Sequence, residues 1–340
     1  MPRKTNIQTN IENPLASDKI PAGVGSALFG NKIRPDSFDS YIGQETAKKA
    51  VQVSIRSAKA RGTQLEHMLF YGPPGLGKTS MACLIANACG GDFVYVSAPN
   101  IERARDISSI LLSLSPNSVL FIDEIHRMDK SAEEILYSAM EDYLISITIG
   151  TGEQTKVRKL HLPPFTLIGA TTRAGLVSPP LMDRFLLQCK MEYYTAEELA
   201  KIAINTARKL EIELDSAAAY KLGTVSRGTP RIVNKYLKLS RDYAYSELSG
   251  FVNDKAVEGA MLLNGISRDG LTKQDKEILR VLYEYGKPVG LTTLSHILGE
   301  DAQTVEEVYE PYLMSCQYIC VTARGRELTE KGKQYFASNI

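Results

Sequence analysis

The sequence has no apolar run of about 18 residues, the length a membrane-crossing helix requires, and its longest apolar segments are broken by charge or glycine. A transmembrane span is therefore excluded. The opening stretch MPRKTNIQTNIENPLASDKI is polar and lacks the apolar core of a secretory leader. Cysteine is scarce: Cys83, Cys89, Cys189, Cys316 and Cys320 make an odd set without zinc-site spacing, and they read as free thiols in a reducing cytoplasm. Net charge is almost absent at +1, which neither implies nor excludes nucleic acid, because a small basic surface suffices for phosphate contact. What is present is an ordinary globular composition, 44% hydrophobic and 23% charged, in 340 residues, enough for two or three cores.

Residues 1–32 form a lead rich in turn signals, with Pro14, Pro21, Gly23 and Gly25 and little periodicity. A helix is expected over Glu45–Arg61. Short apolar runs then alternate with helical stretches: His67–Tyr71, Phe93–Val96, Val119–Ile122, Thr166–Ile168 and Leu187–Met191 are the expected strands of a mostly parallel α/β sheet, in a large domain over 33–193. From 194 to 266 no strand is expected. Thr195 with Glu198 is a capping box, Asp215 starts a further helix, and Thr229-Pro230-Arg231 starts another with proline in its first turn. A third unit, 267–340, opens with the Thr272/Asp275 box and closes its first helix at Gly286. A second short helix follows, then a third from the Thr304/Glu307 box, then a hairpin of Tyr318–Thr322 and Glu327–Thr329, and a final helix Glu330–Phe336. Three helices and a hairpin are the pattern of a winged helix.

The strongest local signal is Gly72-Pro73-Pro74-Gly75-Leu76-Gly77-Lys78-Thr79. It fits G-x-x-x-x-G-K-[ST], with an apolar strand before it and a helix former after it. Gly75 and Gly77 let backbone N–H groups turn toward phosphate oxygens, and the helix N-terminus adds its positive end. Lys78 can reach the terminal phosphates of ATP, and Thr79 can ligate Mg2+. Farther on, the apolar run Val119–Ile122 delivers Asp123 and Glu124 at a strand end. Asp123 is expected to hold Mg2+, and Glu124 to polarise the attacking water.

Four further residues are open to two readings. Thr171 and Thr172 follow another strand, where either can sense phosphate or merely satisfy its own turn. Arg184, flanked by Asp183, can form a surface pair or reach the γ-phosphate of a neighbouring subunit. Arg231 can face solvent or reach phosphate across a domain cleft, coupling nucleotide state to domain angle.

Together these features resemble the RuvB family, the bacterial AAA+ motors of Holliday-junction branch migration. The likeness runs from about Ile33 to Arg326 through Tyr41–Gln44, Tyr71–Thr79, Leu120–Arg127, Ala139–Tyr143, Leu162–Gly175, Asp183–Phe185, Arg227–Ile232 and Glu307–Leu313. It implies an α/β P-loop NTPase (AAA+) core with a parallel sheet, an all-helical lid and a C-terminal winged helix that binds DNA. The resemblance also assigns roles. Ile33 and Arg34 would hold the nucleotide from the N-terminal side, with Tyr194 and the segment Glu141, Asp142, Tyr143 also near it. Ser80 joins Lys78 and Thr79, Arg184 becomes the trans-acting finger, Arg231 the lid sensor, and Thr171 or Thr172 the strand-end sensor. It implies a cytoplasmic homo-hexamer threading double-stranded DNA at a four-way junction, with a RuvA-type junction-binding partner and a RuvC-type resolvase in the same complex.

The segment 144–160 alternates like a hairpin around Gly150-Thr151-Gly152. The family uses this hairpin to contact the RuvA-type partner, and Ile145, Ile147 and Ile149 are the expected apolar contacts. The presumed third helix of the last unit carries Glu306, Glu307 and Glu310, a face that repels a phosphate backbone. The wing is the better candidate. Arg324 and Arg326 flank Gly325 there, and on the residues alone they can be plain surface or phosphate contacts with little sequence preference. The resemblance, which places the family's DNA-binding arginines in the wing, implies that they contact DNA. Three positions depart from the family pattern. Val321 stands where an arginine is common, Ala323 where a proline is, and Leu186 where a glycine follows Asp-Arg-Phe. One phosphate contact is thereby missing or moved to Lys331 or Lys333. Clamp-loading or initiator switches and protein-remodelling ATPases share the nucleotide motifs and are the competing readings.

Overall fold

The computed structural model describes residues 33–149 and 156–338. The lead 1–32 and the bend at Gly150-Thr151-Gly152 lie outside the described residues.

Five parallel strands build the central sheet: β1 (Met68–Tyr71), β2 (Phe93–Ser97), β3 (Val119–Asp123), β6 (Thr166–Thr171) and β7 (Leu187–Lys190), in the order β2-β3-β6-β1-β7. Two others, β4 (Leu144–Ile149) and β5 (Lys156–His161), pair only with each other as an antiparallel hairpin, Leu144 opposite His161. The central strands read as continuous apolar runs because helices cover both faces. Along β1 the two-residue period sends Met68 and Phe70 to one core, which also holds Val51, Ile55, Met81 and Ile85 of helices Glu45–Arg61 and Lys78–Cys89. Leu69 points to the other, with Ile107, Leu111 and Leu136 of helices Ala104–Leu112 and Lys130–Asp142.

Several strand ends differ from expectation by a residue or more, and two of them have packing reasons. β6 runs to Thr171 rather than Ile168, and its small residues fit a tight space: a Cβ on Gly169 would lie 3.0 Å from both Leu69 and Phe185. β1 begins at Met68, because His67 uses its ring for tertiary bonds. Nδ1 accepts the Leu167 N–H at 2.8 Å, and Nε2 lies 3.1 Å from the Met140 carbonyl oxygen, which makes it the donor. Burial, only partly offset by that bond, lowers the His67 pKa to about 4.

The lid contains helices Ala196–Lys209, Ser216–Val225, Pro230–Glu247 and Asp254–Leu263. The Thr195/Glu198 capping box is formed in both directions. The lid's buried face continues the core on the Met68 side of the sheet, so the two domains share apolar packing.

The C-terminal unit has its own core around Leu271, Ile278, Leu282, Leu294, Leu313 and Ile319. Its helix Lys273–Tyr285 carries the expected Thr272/Asp275 box and ends at Gly286, and Leu291–Leu298 ends at Gly299. The third helix starts earlier than expected. Asp301, not Thr304, caps it by accepting from the N–H groups of Gln303 and Thr304. Its middle, Val305–Tyr309, is a π-turn just before Pro311, whose missing N–H and ring bulk disfavour a regular turn there. The wing pairs β8 (Ile319–Thr322) with β9 (Gly325–Leu328), Thr322 opposite Gly325, so only Ala323 and Arg324 make the turn. Gly325 has φ 133°, and a Cβ there would strike the Val289 carbonyl oxygen at 2.4 Å, because Arg326 exchanges backbone bonds with Val289. Helix Glu330–Ser338 closes the unit.

Candidate nucleotide site and nucleic-acid surface

The carboxyl ends of β1, β3 and β6 meet at one edge of the sheet, where an α/β sheet places its ligand crevice. A cleft of about 810 Å3 opens there, between the sheet edge and the lid. Its walls include Ile33, Arg34, Gly75, Gly77, Lys78, Thr79, Ser80, Asp123, Glu124, Tyr194 and Arg231. Residues from both domains and from a span of two hundred positions are thus brought together.

The loop after β1 is shaped by its glycines. Gly75 has φ 78° and lies against the lid, where a Cβ would meet Thr229 at 2.8 Å and Arg231 at 3.0 Å. Gly77 has φ 100°, and a Cβ would meet the Tyr41 hydroxyl at 2.5 Å. Lys78 is buried, and its ammonium donates to the carbonyls of Gly72 at 2.7 Å and Pro73 at 2.9 Å. Burial lowers its pKa, with Glu124 and Asp123 pulling the other way. The loop carbonyls hold a cation that a phosphate anion can claim.

Asp123 ends β3. Its carboxylate accepts from the Glu124 N–H at 3.1 Å and from the Tyr95 hydroxyl at 3.3 Å. Burial and the adjacent Glu124 raise its pKa, so a cation delivered here relieves a real electrostatic cost. Glu124 has a left-handed backbone, φ 51°, an uncommon conformation for a non-glycine residue, and it turns the side chain back toward β6. Its Oε2 accepts from the Thr172 N–H at 3.2 Å and the Thr172 hydroxyl at 3.0 Å, with His126 Nδ1 also 3.2 Å away. The two threonines therefore differ. Thr172 contacts the carboxylate, whereas Thr171 is buried, 2.8 Å from His126 Nδ1.

Across the cleft, the Arg231 N–H lies 3.4 Å from the Gly75 carbonyl, tying the lid helix to the phosphate loop. Tyr194 reaches the Leu76 carbonyl at 3.1 Å and the Tyr41 hydroxyl at 3.4 Å. Burial raises the pKa of both phenols. At the N-terminal side, Lys209 donates to the Arg34 carbonyl at 2.6 Å and pairs with Asp36 at 2.7 Å. Tyr41, Lys209, Asn205 and Asn234 line or brace the cleft and were not singled out from sequence. Tyr41 lies within a family-like segment, a signal that could have found it. The lid residues carry no local motif.

Other expected site residues lie elsewhere. Glu141, Asp142, Tyr143 and Arg184 do not line this cleft within one chain. Arg184 pairs with Glu141 at 2.8 Å, not with Asp183, donates to the Pro180 carbonyl at 2.6 Å, and stacks over Tyr137 at 4.4 Å. Tyr143 packs edge-on against Phe165. This group forms a separate surface at the end of helix Lys130–Asp142.

The wing and the hairpin also bring corrections. Arg324 is exposed at the turn, as expected of a DNA contact. Arg326 is not: its guanidinium grips Glu310 through two bonds, 2.6 and 3.1 Å, and Glu310 is only 2% exposed. Cation and carboxylate satisfy each other inside the domain, so Arg326 reaches a phosphate only by leaving or sharing Glu310, and Glu310 does not stand on the repelling face. Lys331 donates to the Cys316 carbonyl at 2.8 Å, and Lys333 pairs with Glu330 at 2.7 Å, so neither is an unengaged substitute. Ile145 is 1% exposed and belongs to the large-domain core, so it is not available as a partner contact. The side chains of Ile147 and Ile149 lie outside the described residues.

Among the described residues no helix is long and apolar enough to cross a membrane. Family models match along the chain: the Holliday junction DNA helicase RuvB P-loop domain over 33–191, the RuvB AAA lid domain over 194–267, and the RuvB C-terminal winged helix domain over 268–337. The Holliday junction branch migration complex subunit RuvB of Fusobacterium nucleatum is 47% identical over 306 residues, covering 89% of this chain and 92% of that protein. Its counterpart in Nostoc punctiforme is 47% identical, covering 88% and 82%. The solved Holliday junction branch migration motor RuvB of Thermotoga maritima superposes with a TM-score of 0.81 at 40% identity, covering 90% of this chain and 98% of that one. The ORC2 protein of Aeropyrum pernix, 14% identical with a TM-score of 0.55, shares the fold.

Proposed function

The chain belongs to the RuvB family, and from that premise we infer how its residues divide the work of an ATP-driven DNA motor that migrates Holliday junctions. The single observation that carries the division is the convergence of Lys78, Asp123, Glu124 and Arg231 on one cleft between core and lid.

ATP enters that cleft with its base between Ile33, Arg34, Tyr194 and the lid. Lys78 exchanges the Gly72 and Pro73 carbonyls for β- and γ-phosphate oxygens, supported by the N–H groups of Gly75, Gly77, Thr79 and Ser80 at the helix start. Thr79 and Asp123 would hold Mg2+. The pocket offers no cluster of three acidic, histidine or cysteine ligands among the described residues, which fits an ion that keeps waters and phosphate oxygens as its other ligands. When bound, that ion neutralises charge on the phosphates. Glu124 leaves Thr172 to polarise the attacking water, and Thr172, the threonine in contact with it, is the strand-end sensor. Arg231 follows the phosphates and carries the lid with it.

Arg184 completes a neighbouring subunit's site. Its pairing with Glu141 places it on one surface with Asp142 and Tyr143, and this patch would face the next nucleotide in a closed ring, a hexamer. The junction-binding RuvA-type protein would dock on hairpin 144–160, and a RuvC-type resolvase would join the same assembly. Arg324 supplies a sequence-neutral phosphate contact.

Branch migration of a synthetic four-way junction tests the assignment. Lys78→Ala is expected to abolish movement and nucleotide binding together, and Glu124→Gln to bind ATP without turnover. Rings mixed from Arg184→Ala and Glu124→Gln subunits are expected to regain part of the hydrolysis. Verified mixed rings with none would remove Arg184 from the trans role.

A further inference from the structure

Arg173 directly follows the two threonines, yet its guanidinium leaves the ATPase domain. It meets Glu306 of the winged-helix unit at 3.3 Å and Glu307 more closely. Its own N–H donates to the Thr171 hydroxyl at 3.0 Å. That hydroxyl lies 2.8 Å from His126 Nδ1, and His126 and Thr172 both contact the Glu124 carboxylate. A continuous polar chain thus runs from two acids on the DNA-binding unit to the carboxylate that polarises water. Arg173 is outside the nucleotide cleft, so substrate binding does not account for this path.

We propose that Glu306 and Glu307 form a latch on Arg173 that holds segment 171–173 where Thr172 occupies Glu124, so the winged-helix unit restrains ATP hydrolysis until DNA draws it away. The three residues are positioning residues. Two observations suit them to a contact that opens. The side chains are partly solvated, 33% exposed for Arg173, 51% for Glu306 and 36% for Glu307, so water can replace either partner at little cost. Acids on this helix are also repelled by a duplex seated on the adjacent wing, so engaging phosphate and keeping the latch closed oppose each other. The lid is tied to the winged-helix unit, because Arg227 of the lid pairs with the buried Asp275 and donates to the Gly270 carbonyl at 3.0 Å. A lid rotation led by Arg231 would therefore pull on the same latch.

The inference rests on Glu124 as the hydrolytic carboxylate, and the experiment separates the two claims. ATP hydrolysis by the full chain is measured without DNA and with saturating duplex, for wild type, Glu306→Gln/Glu307→Gln, and Glu330→Gln as a control for lost surface charge. The double variant is expected to raise the DNA-free kcat about fivefold or more and to lower DNA stimulation in proportion. Its KM for ATP should stay within about twofold of wild type, as the cleft is untouched. Glu330→Gln should match wild type. An unchanged or lower DNA-free kcat in a double variant that melts like wild type overturns the latch. If the double variant does not fold, hydrogen exchange of wild-type amides 172–174 decides: faster exchange with duplex supports the latch, and equal exchange overturns it. A wild type without ATPase activity would instead sink the hydrolytic reading.

Discussion

The winged-helix unit touches the rest of the chain through two arginine–carboxylate junctions of opposite character. At the lid, Arg227, its side chain 9% exposed, pairs with the fully buried Asp275 and stacks on Tyr312 at 4.5 Å. At the ATPase core, Arg173 meets Glu306 and Glu307 with all three side chains at least a third solvated or close to it. The same charge chemistry gives a weld in one place and a releasable contact in the other, because removing one partner strands an ion only where water cannot reach it.

The contrast can be broken most severely at the weld. Arg227→Ala leaves Asp275 buried without its cation and should cost ~3–5 kcal/mol, read as a lowered denaturation midpoint with the winged-helix unit melting apart from the lid. Arg326→Ala exposes a comparable debt at Glu310 and should destabilise by ~3 kcal/mol or more. Arg324→Ala, by contrast, should weaken DNA binding and flatten its salt slope while leaving the midpoint in place. Loss of DNA affinity in Arg326→Ala at unchanged stability would instead make Arg326 a phosphate contact rather than a structural one.

Acid acts on the ATPase core through His67. His67 titrates near 6.5 when unfolded and about 4 when folded, so its neutral form favours the fold above pH 6.5 and that advantage fades as pH falls toward 4. Between pH 7.5 and 5 the loss should be about 2 kcal/mol, and His67→Gln should flatten this dependence in denaturant titrations. The smallest stability effect belongs to Glu306→Gln/Glu307→Gln, under ~1 kcal/mol. A larger loss would mean that the second junction is a weld as well.

Much of the molecule was legible where chemistry is local. The phosphate loop is eight contiguous residues, Asp123 and Glu124 end an apolar run, and the boxes at Thr195 and Thr272 announced their helices. What escaped depends on tertiary pairing. Nothing near Arg326 names Glu310 sixteen positions earlier, and in an alternating hairpin nothing local distinguishes Ile145, whose side chain is buried in the core. Arg173 lay inside a recognisable segment, but its partners belong to another domain. Glu141 and Arg184 pair with each other on a surface away from the cleft, a tertiary contact that no local motif names.

The π-turn before Pro311 has its own bearing on that second junction. In an ordinary α-helix, neighbouring side chains diverge by about 100° around the axis, so Glu306 and Glu307 would aim at different targets. A wider turn, with more residues per revolution, narrows that divergence and lets two successive acids close on one guanidinium like the jaws of a forceps. A proline thus sets the aim of side chains four and five places upstream of it, and the grip on Arg173 is written in backbone pitch as much as in charge.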